Sequence, residues 1–295
     1  MVGLLLVVTL TAGNALAEVG GMWTAGQAVR PIAGYKMAAI GDDPEPVPTI
    51  WHQISPPGSG RVVLNPEGEA NGDGTPSMLT NPATGLLVVA WARNSASGFD
   101  VVISRFENGT WSVPQVVIDT PANALDPQLV LDASGSIHMF YWLDGTTPQV
   151  FLVQAPADLS SWSAPVLVSQ AGQAACRPAG VVYQDALHVA YEVHDFGYGN
   201  SPRQVVLARF EGGAFVPEVV AMTNNLGAVR PEVHSHAGHI WVDWIDAETT
   251  GGSGEAAWTR LDAQGHWEPI HYEPFVDWEQ RDYFVRGAAR MQAIQ

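Results

Sequence analysis

An aromatic residue followed closely by a proline recurs in this chain at a nearly constant step, and no other feature constrains the fold as strongly. The segments RFENGTWSVP, ADLSSWSAP, RFEGGAFVPE and RLDAQGHWEP place Trp111, Trp162, Phe215 and Trp267 at steps of 51, 53 and 52 residues. Pro114, Pro165, Pro217 and Pro269 follow them at steps of 51, 52 and 52. A second series keeps the same period. GTPSML, LDPQLV, CRPAGV and VRPEVH open each repeat at Pro76, Pro127, Pro178 and Pro231. A turn follows (NPATG, LDASG, YQDA or SHAG), then an apolar run, LLVVAW, SIHMFYW, LHVAYE or HIWVDW, anchored on Trp91, Tyr141, Tyr191 and Trp244. Two independent landmark series with one period identify an internal repeat.

Each period reads as four strands. In the second they are PQLVLD, SIHMFYW, QVFLVQA and APVLVS, short runs rich in Val, Leu and aromatics and bounded by Gly, Pro, Asp and Ser. Four antiparallel strands in about 50 residues is the sequence signature of a β-propeller blade. A lone sheet of that kind cannot bury both faces, so the recurrent aromatics are expected to pack between neighbouring sheets. The expected fold is therefore all-β: a propeller of four-stranded antiparallel blades, five in number, one of them a composite closed by the two termini, which removes exposed sheet edges. Residues 72–271 hold four blades, 18–71 contribute strands to the closing blade, and 272–295 form the C-terminal closing segment. A short helix over 278–293 is the other reading of that last segment.

Composition narrows the setting. Charged residues make up 15% of the chain, against roughly 25% in typical globular domains. The 30 Gly, 21 Pro and 11 Trp favour strands and tight turns over helices. Thirty acidic against 13 basic residues give a formal net charge of -17 with no cluster of basic residues, which argues against a nucleic-acid partner. MVGLLLVVTLTAGNALAEVGG reads as a secretory signal peptide over 1–17, with an apolar run from Leu4 to Leu10 and a small-x-small site at Ala15-Leu16-Ala17, although no Lys or Arg precedes the run. That run is too short to span a bilayer, which takes about 20 apolar residues, and no other stretch comes closer. The mature chain is thus expected to be a secreted or periplasmic monomer without a transmembrane segment. Cys176 is the only cysteine, so core burial and not a disulfide must hold the fold. It reads as a buried strand thiol, with activation by neighbouring Arg177 as the alternative.

Meander topology locates the site. The start of the first strand, the end of the second and the start of the third share one face of a blade, so the inter-blade loops and the loops between second and third strands gather there. The residues just before the opening prolines, Thr75, Asp126, Arg177 and Arg230, belong to that face. So do loops carrying Asn94, Asp144, Glu192, His194, Asp195, Tyr198 and Asp246. Variable loops on a rigid scaffold are the usual seat of binding. The planar fork of arginine suits a carboxylate, sulfate or sugar diol, so Arg177 and Arg230 read either as an anion or polyol site or as structural partners of Asp126 and Glu232. The ligand-binding candidates are Asp126, Arg177, Arg230, Asp144, Glu192, His194, Asp195 and Asp246. Neither EVHDFGYG nor the strand-borne His234, His236 and His239 presents convergent ligands at metal spacing. Asp73 in NGDGTP reads equally as a calcium ligand or as part of a tight glycine turn. No metal or cofactor is expected.

FENGTW, FEGGAF and LDAQGHW, with acid, glycine and aromatic in order, resemble degraded copies of the Asp-box (BNR) turn of sialidase-like propellers. That resemblance implies a glycan-directed propeller, since such repeats occur in sialidases, other glycosidases and non-catalytic sugar binders, and it marks a fold more than an activity. It would match Arg177 and Arg230 to two of the three carboxylate-binding arginines. Arg30 in AVRPIAG echoes AVRPEV at Arg230 but reverses the family order, and no Tyr-Glu nucleophile pair is assigned. ALDPQLVLDASG also resembles five-bladed arabinanases and xylosidases, whose carboxylates begin successive inner strands. Only Asp126 matches that pattern, which makes it the candidate catalytic residue, because hydrolysis takes two carboxylates flanking the bond. The first expectation is binding of a carbohydrate or small anionic ligand at the axial cavity. A sialidase-like glycoside hydrolase and a protein-interaction scaffold are the alternatives.

Overall fold

The structure, a computed structural model, describes the backbone of residues 5–10, 15–20, 30–32, 35–42, 50–54, 62–63, 73–81, 84–95, 98–108, 110–193, 203–223, 228–246 and 255–274, and of these the side chains from residue 76 onward except at 223, 255, 256, 273 and 274. The described residues are strands and turns, with no helix long and apolar enough to cross a membrane. The chain divides into two compact units, Met1–Leu129 and Val130–Gln295.

In the first unit β1 (Leu5–Leu10) pairs with β2 (Ala15–Gly20) as an antiparallel hairpin. A four-stranded sheet follows in the order β3 (Arg30–Ile32), β4 (Tyr35–Asp42), β5 (Ile50–Ile54), β6 (Val62–Val63). The segment expected to supply only part of a composite blade thus carries four strands of its own. IWHQIS and RVVLN read as strand-like in the sequence and carry β5 and β6, while the three-residue β3 is too short to show an apolar period. The C-terminal segment beyond residue 274 lies outside the described residues.

The first repeat forms β7 (Asp73–Thr80), β8 (Leu87–Ser95), β9 (Gly98–Glu107), β10 (Thr110–Trp111) and β11 (Gln115–Ile118). Both β10 and β11 pair with β9. Pro114, which has no N–H to offer the ladder, falls in the gap between them. Met78, Leu87, Val89, Trp91 and Val102 form the buried core of this sheet, with Phe106 and Trp111 packed against it. The Trp111 ring lies 5.3 Å from that of Phe106. Within the same unit, Ser77 Oγ accepts the Leu129 N–H at 3.0 Å and ties β7 to the next repeat.

The remaining sheets keep the same meander. The second runs β12 (Asn123–Leu131), β13 (Ile137–Asp144), β14 (Gln149–Ala155), β15 (Val166–Leu167), and the division between units falls within β12. The third runs β16 (Ala175–Tyr183), β17 (Ala186–Val193), β18 (Arg203–Glu211), β19 (Ala214–Thr223). The fourth runs β20 (Val229–His236), β21 (His239–Asp246), β22 (Glu255–Leu261), β23 (His271–Pro274). Two-residue hairpins close β16–β17 and β20–β21 with both central residues at positive φ, 48° and 59° at Gln184 and Asp185, 48° and 76° at Ala237 and Gly238. This left-handed geometry matches the right-handed strand twist.

The repeat-equivalent aromatics Trp91, Tyr141, Tyr191 and Trp244 are all at most 1% exposed, which makes the second strand of each repeat its core element. Burial pushes the Tyr141 phenol up to about 12, so it stays neutral. In the second unit the turn aromatics do pack between sheets. Phe215 of the third sheet meets Phe140 of the second edge-on at 6.1 Å. Trp267 donates its indole N–H to Glu218 Oε1 of the third sheet at 2.9 Å. Ala179, Ala190, Val205 and Leu207 share one buried cluster with Val233, Val242 and Trp244 of the fourth sheet. Gly180 is a contact only glycine permits, since a Cβ there would meet Phe140 Cε2 at 2.4 Å and Val130 Cγ2 at 2.8 Å.

Candidate functional site

The opening proline of each repeat distorts the strand that carries it. Proline cannot donate to a ladder and disfavours the right-handed helical region for the residue before it. The register slips between Cys176 and Ala179, between Val229 and Glu232, and between Gly74 and Ser77, so each Xaa-Pro pair occupies a bulge. Asp126, Arg177 and Arg230 take φ of 47°, 52° and 53°. The left-handed region costs a non-glycine residue about 1–2 kcal/mol. Three repeat-equivalent residues are held in this costly geometry.

In the second unit these bulges converge on a buried carboxylate. Glu192 is fully buried at the end of β17, in register with Cys176 of β16. Its Oε1 accepts the Cys176 thiol at 3.0 Å and Arg177 Nη1 at 3.0 Å, and its Oε2 accepts the Arg230 backbone N–H at 2.9 Å. A buried charge survives only when paired and hydrogen-bonded, and Glu192 has both kinds of partner. It ties the starts of β16 and β20, and so the third sheet to the fourth. The Arg177 side chain keeps 40% of its surface exposed while making this ion pair, and Arg230 is half-buried. Two guanidinium-bearing residues are thereby held at the loop end by one carboxylate, Arg177 through its guanidinium and Arg230 through its backbone N–H.

The other candidates are placed less closely. Asp126 is half-buried on β12, in the first unit, and shares the αL geometry of the two arginines. Asp144 is exposed at the end of β13, and Asp246 is buried at the end of β21, opposite Glu255. His194, Asp195 and Tyr198 lie outside the described residues, as do the side chains of Arg30, Asp73 and Thr75. Cys176 is 2% exposed and serves as a donor to Glu192, in keeping with a buried strand thiol. His234 stacks on Trp241 at 6.2 Å and stands 3.5 Å from Asp243, a structural role. No group of three His, Cys, Asp or Glu that could hold a metal ion occurs among the described residues.

Sequence reading placed Glu192 among the loop residues, as a ligand-binding candidate and not as the carboxylate that organises the arginines. Its organising role had a signal: the residue after the core aromatic is Ala92, Trp142 and Ile245 in the other repeats and a glutamate here. The donor role of Cys176 had none, because spacing alone does not say which strand partner it faces.

No family model matches the chain, and no curated protein matches it by sequence. Solved structures do match by fold. A protein of unknown function from Dyadobacter fermentans aligns over 68% of each chain at a TM-score of 0.56 and 13% identity. An α-L-arabinanase of Cellvibrio cellulosa, complexed with arabinohexaose, aligns over 90% of this chain and 99% of its own, at 0.54 and 11%. An α-L-arabinanase of Penicillium chrysogenum, complexed with arabinobiose, aligns over 81% and 86%, at 0.51 and 14%. What they share with this chain is the fold. The two arabinanases are β-propeller enzymes, and the likeness bears out an all-β assembly of four-stranded antiparallel sheets of that type.

Proposed function

We propose that this protein is an exported, monomeric β-propeller, closed as a ring of five sheets, that binds a carbohydrate or small anionic ligand at the loop end carrying Arg177 and Arg230. The observation that carries the reading is the pair of arginines held in left-handed bulges over one buried glutamate. Strain and a buried charge are both costly, and a sheet needs neither to form its ladder. The planar, permanently charged fork of arginine suits a carboxylate, sulfate or vicinal diol. The turns FENGTW, FEGGAF and LDAQGHW are taken as relics of the Asp-box, in line with a glycan-directed ancestry.

Glycoside hydrolysis is the second reading, favoured by Asp126, a carboxylate in the same αL setting at the start of its own repeat. Binding is preferred because hydrolysis takes two carboxylates flanking the scissile bond, and Glu192 is engaged beneath the arginines. Calorimetric titration of oligosaccharides, arabinohexaose among them, tests the assignment. Arg230→Ala leaves the Glu192 contact in place, because that contact comes from the main chain, and is expected to weaken binding by about 10- to 100-fold. Arg177→Lys keeps the charge and loses the fork, with a smaller loss. Normal affinity in both variants would sink the proposal. Turnover by the wild type, lost in Asp126→Asn with binding retained, would establish the hydrolase instead.

A further inference from the structure

The hairpin that joins β9 to β10 turns on Asn108-Gly109, with Glu107 and Thr110 paired across it. Asn108 takes φ of 52°, the left-handed geometry expected of an Asn-Gly hairpin turn. Asn108 and Thr110 are both exposed, and the Thr110 hydroxyl donates to the Glu107 carbonyl at 3.2 Å. The turn follows the last residue of β9, at the opposite end of that strand from Gly98 and the loop end of the sheet. Asn108-Gly109-Thr110 is also an Asn-Xaa-Thr triplet without proline in the middle, the acceptor sequence for an N-linked glycan in an exported protein. No other asparagine in the chain has a serine or threonine two residues on.

A glycan is bulky and hydrated, so its acceptor has to lie where the fold leaves room and strands no charge. The charged side chains just before the turn, Arg105 and Glu107, stand 3.8 Å apart with 31% and 51% of their surface exposed, so a neutral sugar beside them buries neither. The opposed rings of Phe106 and Trp111, 5.3 Å apart and half-buried, offer apolar surface at the base of the hairpin. The outer edge of the same sheet has a use for cover. Val113 is 82% exposed and Val116 47%. Ser112 donates its N–H to the Arg105 carbonyl at 2.8 Å, three residues before Asn108, so Val113 stands roughly 10–15 Å from the acceptor at about 3.4 Å per residue. Exposed apolar sheet edges promote association, and native sheets blunt or cover them.

We infer that Asn108 is the acceptor of a single N-linked glycan, which shields the apolar outer edge of the first repeat's sheet. The inference rests on the reading of the chain as exported and is independent of the arginine site. The step joins Asn108 Nδ2 to the anomeric carbon of an oligosaccharide carried on a polyprenyl diphosphate in the secretory membrane. The bond from that carbon to the diphosphate oxygen breaks, polyprenyl diphosphate leaves, and the amide nitrogen gives up one proton. The test is secretion of the full chain from cultured eukaryotic cells, alongside residues 18–295 behind a standard secretion leader, with glycopeptides mapped by mass spectrometry before and after peptide-N-glycosidase. One glycan at Asn108, removed by the glycosidase, is expected on both products. Asn108→Asp, which suits the left-handed turn, and Thr110→Ala should lose it outright, while Thr110→Ser should keep it. The deglycosylated protein should show more oligomer than the glycosylated one in size-exclusion chromatography. Secreted wild type with Asn108 unmodified overturns the inference, as does a glycan that persists in Asn108→Asp. Equal oligomer content before and after deglycosylation overturns the shielding role. A glycan on the leader-swapped chain together with no secretion of the full chain sinks the export reading alone and supports the acceptor.

Discussion

Replacing Glu192 by Gln should cost about 2–3 kcal/mol of stability, and the structure says where that loss arises. The amide keeps the shape of the side chain but turns one acceptor into a donor and removes the charge. If the new NH2 faces β20, the Arg230 N–H, bound at 2.9 Å, loses its acceptor, and an unsatisfied buried amide costs about 1–3 kcal/mol. If it faces β16, the Cys176 thiol and Arg177 lose theirs. The ion pair itself contributes less than its 3.0 Å distance suggests. Arg177 is 40% exposed and can return to water, which discounts the pair to about 1 kcal/mol or less. Thermal unfolding followed by circular dichroism checks the sum, with an expected Tm drop of about 5–10 °C at about 2–4 °C per kcal/mol. Arg177→Met should lose clearly less than Glu192→Gln. A Tm within 1 °C of the wild type, or equal losses in the two variants, would refute the argument that Glu192 acts chiefly by fixing the backbone of the fourth sheet.

Further outcomes follow from local geometry. Arg230→Gly should be more stable than Arg230→Ala by about 1 kcal/mol, because φ of 53° suits glycine, and chemical denaturation of the two variants measures the difference. Gly180→Ala should destabilise by about 1–3 kcal/mol through the clash with Phe140 and Val130, visible as a lower denaturation midpoint at unchanged m-value. Burial alone would raise the Asp132 carboxyl, but hydrogen bonds from Ser134, His138 and Ser136 outweigh it and hold the group below its usual 3.8. Its contribution is present above that value and lost as pH falls through the lower folded value, so Asp132→Asn should flatten the loss of stability below about pH 4. Burial depresses the His188 imidazole below its usual 6.5, outweighing the bond from its Nδ1 to the Ala186 carbonyl. The stability it supports is complete above 6.5 and declines as pH falls through the folded value, and a Tm–pH profile of His188→Phe should lose that acid-side decline.

The repeat was legible because its landmarks are large and unusual. Trp91, Tyr141, Tyr191 and Trp244 keep a nearly constant step since each fills the same core position, and Pro76, Pro178 and Pro231 recur because each marks a bulge. The N-terminal sheet was legible only in part: IWHQIS and RVVLN read as strand-like and carry β5 and β6, but not the two strands before them. A strand as short as Arg30–Ile32 leaves no alternation to read, and it forms only because a neighbouring strand supplies the ladder. The arginines were found from their equivalent places before Pro178 and Pro231. That both would join one carboxylate was not, since the contact from Arg230 is made by a backbone N–H, which every residue but proline carries.

The most direct test of the central claim is to expose the purified protein to a mixed oligosaccharide pool and identify retained and released sugars by mass spectrometry, with Arg177→Ala/Arg230→Ala run alongside. Binding at the arginine end predicts that the wild type retains a subset of the pool without releasing shorter products, and that the double variant retains none of it. Equal retention by both proteins, or new short products from the wild type, would contradict it.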